Sequence, residues 1–312
     1  MRAAWLLAAV TACSFQHGSL GPGSNTGDDA SGGGDDARLV DASTIDTPPA
    51  VTCFAKWKAG PTFSDPIQFG IATTSDEGDP FLTADEKTMY FLRTGDIYKT
   101  TRTSLANDFA TDAKASDLSS GQIDSKGTLT HDGLTVFFDT ARTGGTGGAT
   151  DLWRATRSST TNTFGTPNQM YLGALNTSGD QWDPHASWDG LRLYLSPQSA
   201  TGQHIVMASR PSTTDSFAAP VPLPELDSTA SEADPTLTID ERLIVFTSNR
   251  SGSNDMYYAT RDEPTLPFGA PILVPTLNTN NENGPFISND GCRLYFVSNR
   301  DTDFDIWETD VQ

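Results

Sequence analysis

The chain has 312 residues, of which 36% are hydrophobic, and 40 acidic side chains against 20 lysines and arginines set its formal charge at −20. The length suits one large domain with a sizeable core. The charge excludes nucleic-acid binding and adsorption to anionic lipid, because phosphate groups would repel it; an acidic surface of this kind keeps an exported protein in solution.

Residues 1–12 read as a signal peptide. Arg2 supplies a positive start, and residues 3–10 (AAWLLAAV) form an apolar run too short to span a bilayer. Val10-Thr11-Ala12-Cys13 resembles a bacterial lipobox. The resemblance implies cleavage before Cys13, acylation of its thiol and anchoring without a spanning segment. Ser14 in place of Asp implies sorting to the outer membrane, facing the periplasm or the cell surface. An ordinary signal peptide cut after a small residue is the other reading. From 13 to 52 the chain carries runs such as residues 28–36 (DDASGGGDD). These bury too little surface to offset their ordering entropy, so a flexible, self-repelling tether is expected.

The remainder, 53–312, repeats. Asp85, Asp132, Asp189, Asp240 and Asp290 hold one turn position at a spacing of about 50 residues, which marks a radial or stacked repeat. Each repeat offers four strand candidates, a to d. Strand a precedes the turn (Thr236-Leu237-Thr238 in the fourth repeat). Strand b is apolar on both faces (Leu243-Ile244-Val245-Phe246), which suits a strand held between two sheets. Strand c follows a polar hairpin (Asp255-Met256-Tyr257; His204-Ile205-Val206 in the third repeat). It ends in Arg102, Arg157, Arg210 and Arg261 in four repeats but near Asp310 in the last. Strand d is assigned to a Phe followed three residues later by Pro or Asp: Phe63, Phe109, Phe164, Phe217 and Phe268. Proline suits such an outer edge.

This segment starts on a d element and finishes on a c strand. If the two pair, every sheet is complete; otherwise both ends leave open edges. The expected fold is therefore all-β, a five-bladed β-propeller closed by its N-terminal strand. With Cys13 acylated, Cys53 and Cys292 remain. Cys292 lies at the a–b turn of blade five, and Cys53 precedes the strand that completes that blade. A disulfide locking the closure and a pair of free thiols both stay open.

Residues 234–240 (DPTLTID) with 246–250 (FTSNR) and 255–257 (DMY), and the matching 284–307 stretch of the fifth repeat, resemble the repeats of the TolB-type propeller family. The second repeat departs most, with Lys126-Gly127 where the others carry Asp-Pro or Gly-Pro. The resemblance covers about 53–312. It implies a monomeric binding scaffold at the cell envelope, taking a protein or peptide at the channel, with no cofactor. Nothing resembles the α/β domain that accompanies the propeller in that family.

One ring of residues stands out. Before strand a lie Glu77, Asp124, Gln181, Glu232 and Glu282, and two residues later Asp79, Lys126, Asp183, Asp234 and Gly284. If strands a line the channel, Glu77, Asp79, Asp124, Asp183, Glu232, Asp234 and Glu282 form an acidic mouth that binds a cation, a basic peptide or a polar ligand. The competing reading is that each carboxylate accepts backbone hydrogen bonds and fixes its loop, as suits a feature recurring with the repeat. A glycan-binding or glycoside-hydrolysing propeller is the rival function. It needs two spaced carboxyl groups, for which Glu232 with Asp79 or Asp183 are the candidates; no repeat carries an acid its siblings lack. His17, His131, His185 and His204 show no ligand spacing, and residues 301–305 (DTDFD) lack the Gly and distal Glu of a calcium loop. No metal and no catalytic residue is expected.

Overall fold

The computed structural model describes residues 52–146 and 148–312. The expected signal peptide, Cys13 and nearly all of the expected tether lie outside the described residues.

Five antiparallel sheets carry the repeats. Blade one is Glu77–Leu82, Thr88–Arg93, Asp96–Thr101 and Ala113–Lys114. Blade two is Asp124–Leu129, Thr135–Thr140 and Asp151–Thr156, its outer strand reduced to one bridge, Arg154 to Asn168. Blade three is His185–Ala186, Arg192–Leu195, Val206–Ser209 and Val221–Pro222. Blade four is Glu232–Leu237, Leu243–Ser248, Asp255–Thr260 and Ile272–Leu273. Blade five is Glu282–Ile287, Arg293–Ser298 and Asp305–Asp310, and Ile67–Gln68 completes it.

Closure comes from that last pairing. Ile67 stands opposite Glu308 and Gln68 opposite Trp307, while Phe63 bridges to Val311. Cys53 and Cys292 are disulfide-bonded, with Cα atoms 5.1 Å apart. Each a–b turn is built alike. The Thr83 hydroxyl donates to Asp85 at 2.7 Å, and the same carboxylate accepts the Lys87 N–H at 3.1 Å. The residue after the Asp turns left-handed, at φ 55° in Glu86 and 66° in Gly133.

The b strands are buried on both faces, and the core is divided among the seams between blades. Leu243, Val245 and Met256 of blade four pack on Leu294 and Phe296 of blade five. Met89 and Phe91 of blade one meet Tyr295 and Val297 on the next seam. The remaining seams repeat this pattern. An apolar-on-both-faces strand thus serves two interfaces, which is why its sequence does not alternate.

Two local expectations are corrected. The Phe-x-x-Pro signature is not strand d itself but the turn leading into it. Phe268 precedes Ile272–Leu273, and the phenylalanine is buried beneath the arginine that ends strand c. Arg102, Arg157, Arg210 and Arg261 lie 4.6, 4.3, 4.4 and 4.1 Å from the centroids of Phe109, Phe164, Phe217 and Phe268. Strand c of blade three begins at Val206, not His204, because its hairpin holds an extra ribbon, Gln198–Ser199 with Gly202–Gln203. A six-residue helix, Phe54–Ala59, precedes the closing strand and buries Phe54 and Trp57 in the seam of blades four and five.

Candidate functional site

Strand a of four blades carries a β-bulge near its start. Asp79, Asp234 and Gly284 sit at those bulges with φ of 49°, 56° and 53°, and Asp183 of blade three adopts the same turn at 59°. The distortion turns the three aspartates into the channel, where they face Lys126 of blade two.

The channel carboxylates knit neighbouring blades. Asp139 accepts the Asp183 N–H at 3.0 Å, Asp183 accepts the Asp234 N–H at 3.2 Å, and Asp234 accepts the Gly284 N–H at 3.1 Å. Asp139 stands in for blade two because the ring position there is a lysine. Lys126 Nζ crosses to Asp234 at 3.1 Å, so one ammonium plugs the axis. One layer below, Thr128, His185 and Thr236 accept the N–H groups of Ala186, Leu237 and Ile287 in the next blade. Blades five and one put Phe286 and Phe81 in that layer instead.

Charge in this enclosure follows from burial. Desolvation, then the charge of Asp234, pushes the Asp79 carboxyl up to about 6. Burial likewise raises Asp139 to about 7 and holds Asp183 well above the usual carboxylate range. Burial also acts on Asp234, but Lys126 and donors from Thr247 and Gly284 outweigh it and hold that group low. His185 is pushed down to about 3 by burial and by Lys126, so it is a neutral acceptor. The group titrates as a unit.

Among the described residues, Asp79 differs from the other ring carboxylates: no hydrogen bond reaches its side chain, and it is half-buried. Blade two presents no N–H to it, since Lys126 lacks the left-handed turn of the other ring positions. Trp182, Gln203, Asn249, Asn254 and Asn283 line a polar groove together with Asp183 and Asp234.

The outer carboxylates do not form part of this mouth. Glu77, Asp124, Glu232 and Glu282 are at most 1% exposed. Each is committed to its own loop and to the hairpin arginine. Glu77 accepts Thr73 N–H at 3.1 Å and Arg93 Nε at 2.6 Å. Asp124 takes Arg142 at 2.6 Å and Glu232 takes Arg250 at 3.0 Å, while Glu282 pairs with Arg300 at 3.6 Å. Blade three has Gln181 at this position, and Pro197 and Ser199 at the two positions where its siblings place the arginine, so acid and base are lost together. That paired loss is the sequence signal of a structural role. Asp79, Asp183 and Asp234 do face the channel. Lys126 and Asp139 join them, and Asp139 was not among the residues anticipated. His204, which has no ligand spacing in sequence, lies against Asp227 and Glu232.

No family profile and no curated protein matches the chain. Among solved structures, the endo-arabinase of Bacteroides thetaiotaomicron aligns at 12% identity over 80% of this chain and 98% of that one, with a TM-score of 0.56. The catalytic domain of a Coprinopsis cinerea GH62 α-L-arabinofuranosidase aligns at 13% over 81% and 97%, at 0.54. A putative TolB from Agrobacterium tumefaciens aligns at 16% over 77% and 81%, at 0.48. At these identities the likeness is one of fold: the protein is a five-bladed β-propeller, similar in architecture to the endo-arabinase and the arabinofuranosidase domain.

Proposed function

We propose that this propeller is a binding module that receives a cationic group, of the kind a lysine- or arginine-bearing segment of an envelope protein supplies, at Asp79. The observation that carries this reading is the half-buried Asp79 carboxylate, which accepts no hydrogen bond in a channel whose other acids are engaged. Hydrolysis of a glycoside needs two available carboxyl groups. Asp183 and Asp234 hold the next blade's backbone, and Glu232 is sealed into its loop. The lipobox-like start places the module, in this reading, at the end of a tether on the outer membrane, acting as a monomer without a cofactor.

Glycan binding is the second reading, favoured by the groove in which half-buried Trp182 stands beside Gln203, Asn249, Asn254 and Asn283. An aromatic face with amides around it suits a sugar ring. The two are separated by measuring the tethered protein against a lysine-rich peptide and against a plant and bacterial glycan array, with Asp79→Asn alongside. Peptide binding lost in Asp79→Asn supports the first reading. Glycan binding that survives Asp79→Asn but not Trp182→Ala supports the second. Release of sugar from an arabinan would overturn both.

A further inference from the structure

Blade three departs from its siblings at two positions that the fold brings together. Where the other c strands open on Asp96, Asp151, Asp255 and Asp305, this repeat has His204. Where the loop after strand d carries Ser119, Asn176 and Asn278, it has Asp227. The three sibling side chains bond the c strand: Asn176 accepts the Leu152 N–H and donates to its carbonyl, both at 2.9 Å, and Asn278 does the same with Met256. A carboxylate cannot donate, and Asp227 Oδ1 makes no hydrogen bond to the c strand. It turns to His204, with Oδ1 3.5 Å from Nδ1. Glu232 Oε2 lies 3.3 Å from the same nitrogen.

The local chemistry is unbalanced as it stands. His204 Nε2 is 2.9 Å from Thr201 Oγ1 on the extra ribbon. Donation of the Nε2 proton there leaves a bare lone pair on Nδ1, aimed at two carboxylate oxygens. Neither His204 Nδ1 nor Asp227 Oδ1 has a hydrogen-bond partner, although both atoms are shielded from solvent. Three converging electron pairs need a cation among them.

From this geometry we infer a divalent-metal site of the zinc type formed by His204 Nδ1, Asp227 Oδ1 and Glu232 Oε2. The three atoms lie within 4.8 Å of one another. A tetrahedral zinc with nitrogen and oxygen ligands sets them about 3.3–3.6 Å apart, which the two distances to Nδ1 already match. Thr201 fixes the ring as an outer-shell partner does. Arg250 occupies the other Glu232 oxygen, Oε1, and Ser228 N–H reaches Oε2 at 3.2 Å, leaving a lone pair of that oxygen for the metal. His204 and Asp227 are 21% and 29% exposed at the side chain, so water can enter and fill the fourth position.

The test is calorimetric titration of the full chain with zinc chloride at neutral pH, paired with the visible spectrum of the cobalt(II) form. Two variants restore what sibling blades carry, His204→Asp and Asp227→Asn, and thermal melting confirms that they fold. Uptake of about one equivalent, a tetrahedral cobalt spectrum and an affinity loss of about tenfold or more in each folded variant are expected. No uptake would mean that a proton, held as imidazolium, balances the carboxylates, and overturns the site. Uptake unchanged in both variants places the ion elsewhere and overturns it equally.

Discussion

The indole N–H of Trp57 donates to the carbonyl of Gly291 at 2.8 Å, and there it takes the place an arginine fills in every other blade. Arg102, Arg157, Arg210 and Arg261 direct Nε at the carbonyls of Glu86, Gly133, Gly190 and Glu241 at 2.9, 2.7, 2.8 and 2.7 Å. Each also covers the phenylalanine before its strand d. Blade five has no such arginine, and Trp57 meets Phe63 edge-on at 5.7 Å instead. The helix that carries Trp57 therefore supplies in trans what the last repeat lacks. Trp57→Phe keeps the ring and removes the donor, leaving the buried Gly291 carbonyl unpaired. A loss of about 1–3 kcal/mol in urea unfolding is expected. Trp57→Ala also opens a cavity, and about 3–5 kcal/mol is expected.

The disulfide acts on the same seam. Cys53 and Cys292 are separated by 239 positions. Closing a loop of that length removes unfolded-chain entropy corresponding to about 5 kcal/mol in the chain-entropy view, with 2–5 typical of measured cases. Reduction, or the double variant Cys53→Ser/Cys292→Ser, is expected to lower the unfolding free energy by that margin, and the urea midpoint with it, without changing the far-ultraviolet spectrum. An unchanged midpoint would mean that Ile67–Gln68 pairing and Trp57 burial already hold the ring shut.

The blades were legible in the sequence because their signals are local. An Asp accepting its own downstream N–H needs only four neighbouring residues, and a doubly buried b strand is apolar throughout. The site was legible in position but not in direction. Glu77 and Asp79 stand two apart, which in a regular strand places them on one face. The bulge beyond Gly78 and the left-handed turn at Asp79 break that rule, so one residue enters the loop and the other the channel. Trp57 left no pattern to read, since it belongs to no repeat and to a helix too short to show periodicity. His204 and Asp227 stand 23 positions apart, and only the pairing of the loop after strand d with the start of strand c brings them together.

Lys126 offers a sharp test of the channel's charge balance. It is 4% exposed at the side chain and sits among Asp234, Asp183 and Asp79, whose charges keep its ammonium favoured despite burial. Lys126→Met removes that cation and leaves the Asp234 carboxylate buried. A loss of about 3–5 kcal/mol is expected at neutral pH. The deficit should shrink as pH falls toward 4, where the carboxyl groups take up protons. A deficit independent of pH would point to packing, not charge.

Asp79 ties stability and binding to pH in opposite senses. Its folded carboxyl titrates at about 6 against 3.8 in the open chain, so the folded state holds the proton more tightly. That contribution is complete below about 4 and is lost as pH rises through 6; Asp139 behaves alike, extending to about 7. His185 works the other way: its contribution is complete above 6.5 and is lost as pH falls toward 3. Asp79→Asn should flatten the decline between pH 4 and 6 and leave the protein as stable as the parent, or more so, at pH 7. Peptide affinity runs opposite, because only the ionised carboxylate attracts a cation. Wild-type binding of a lysine-rich peptide is expected to strengthen from pH 5 to 7.5, and binding by Asp79→Asn to stay weak across that range. Titrations in which both proteins respond to pH in the same way would assign the charge sensed by the peptide to another group.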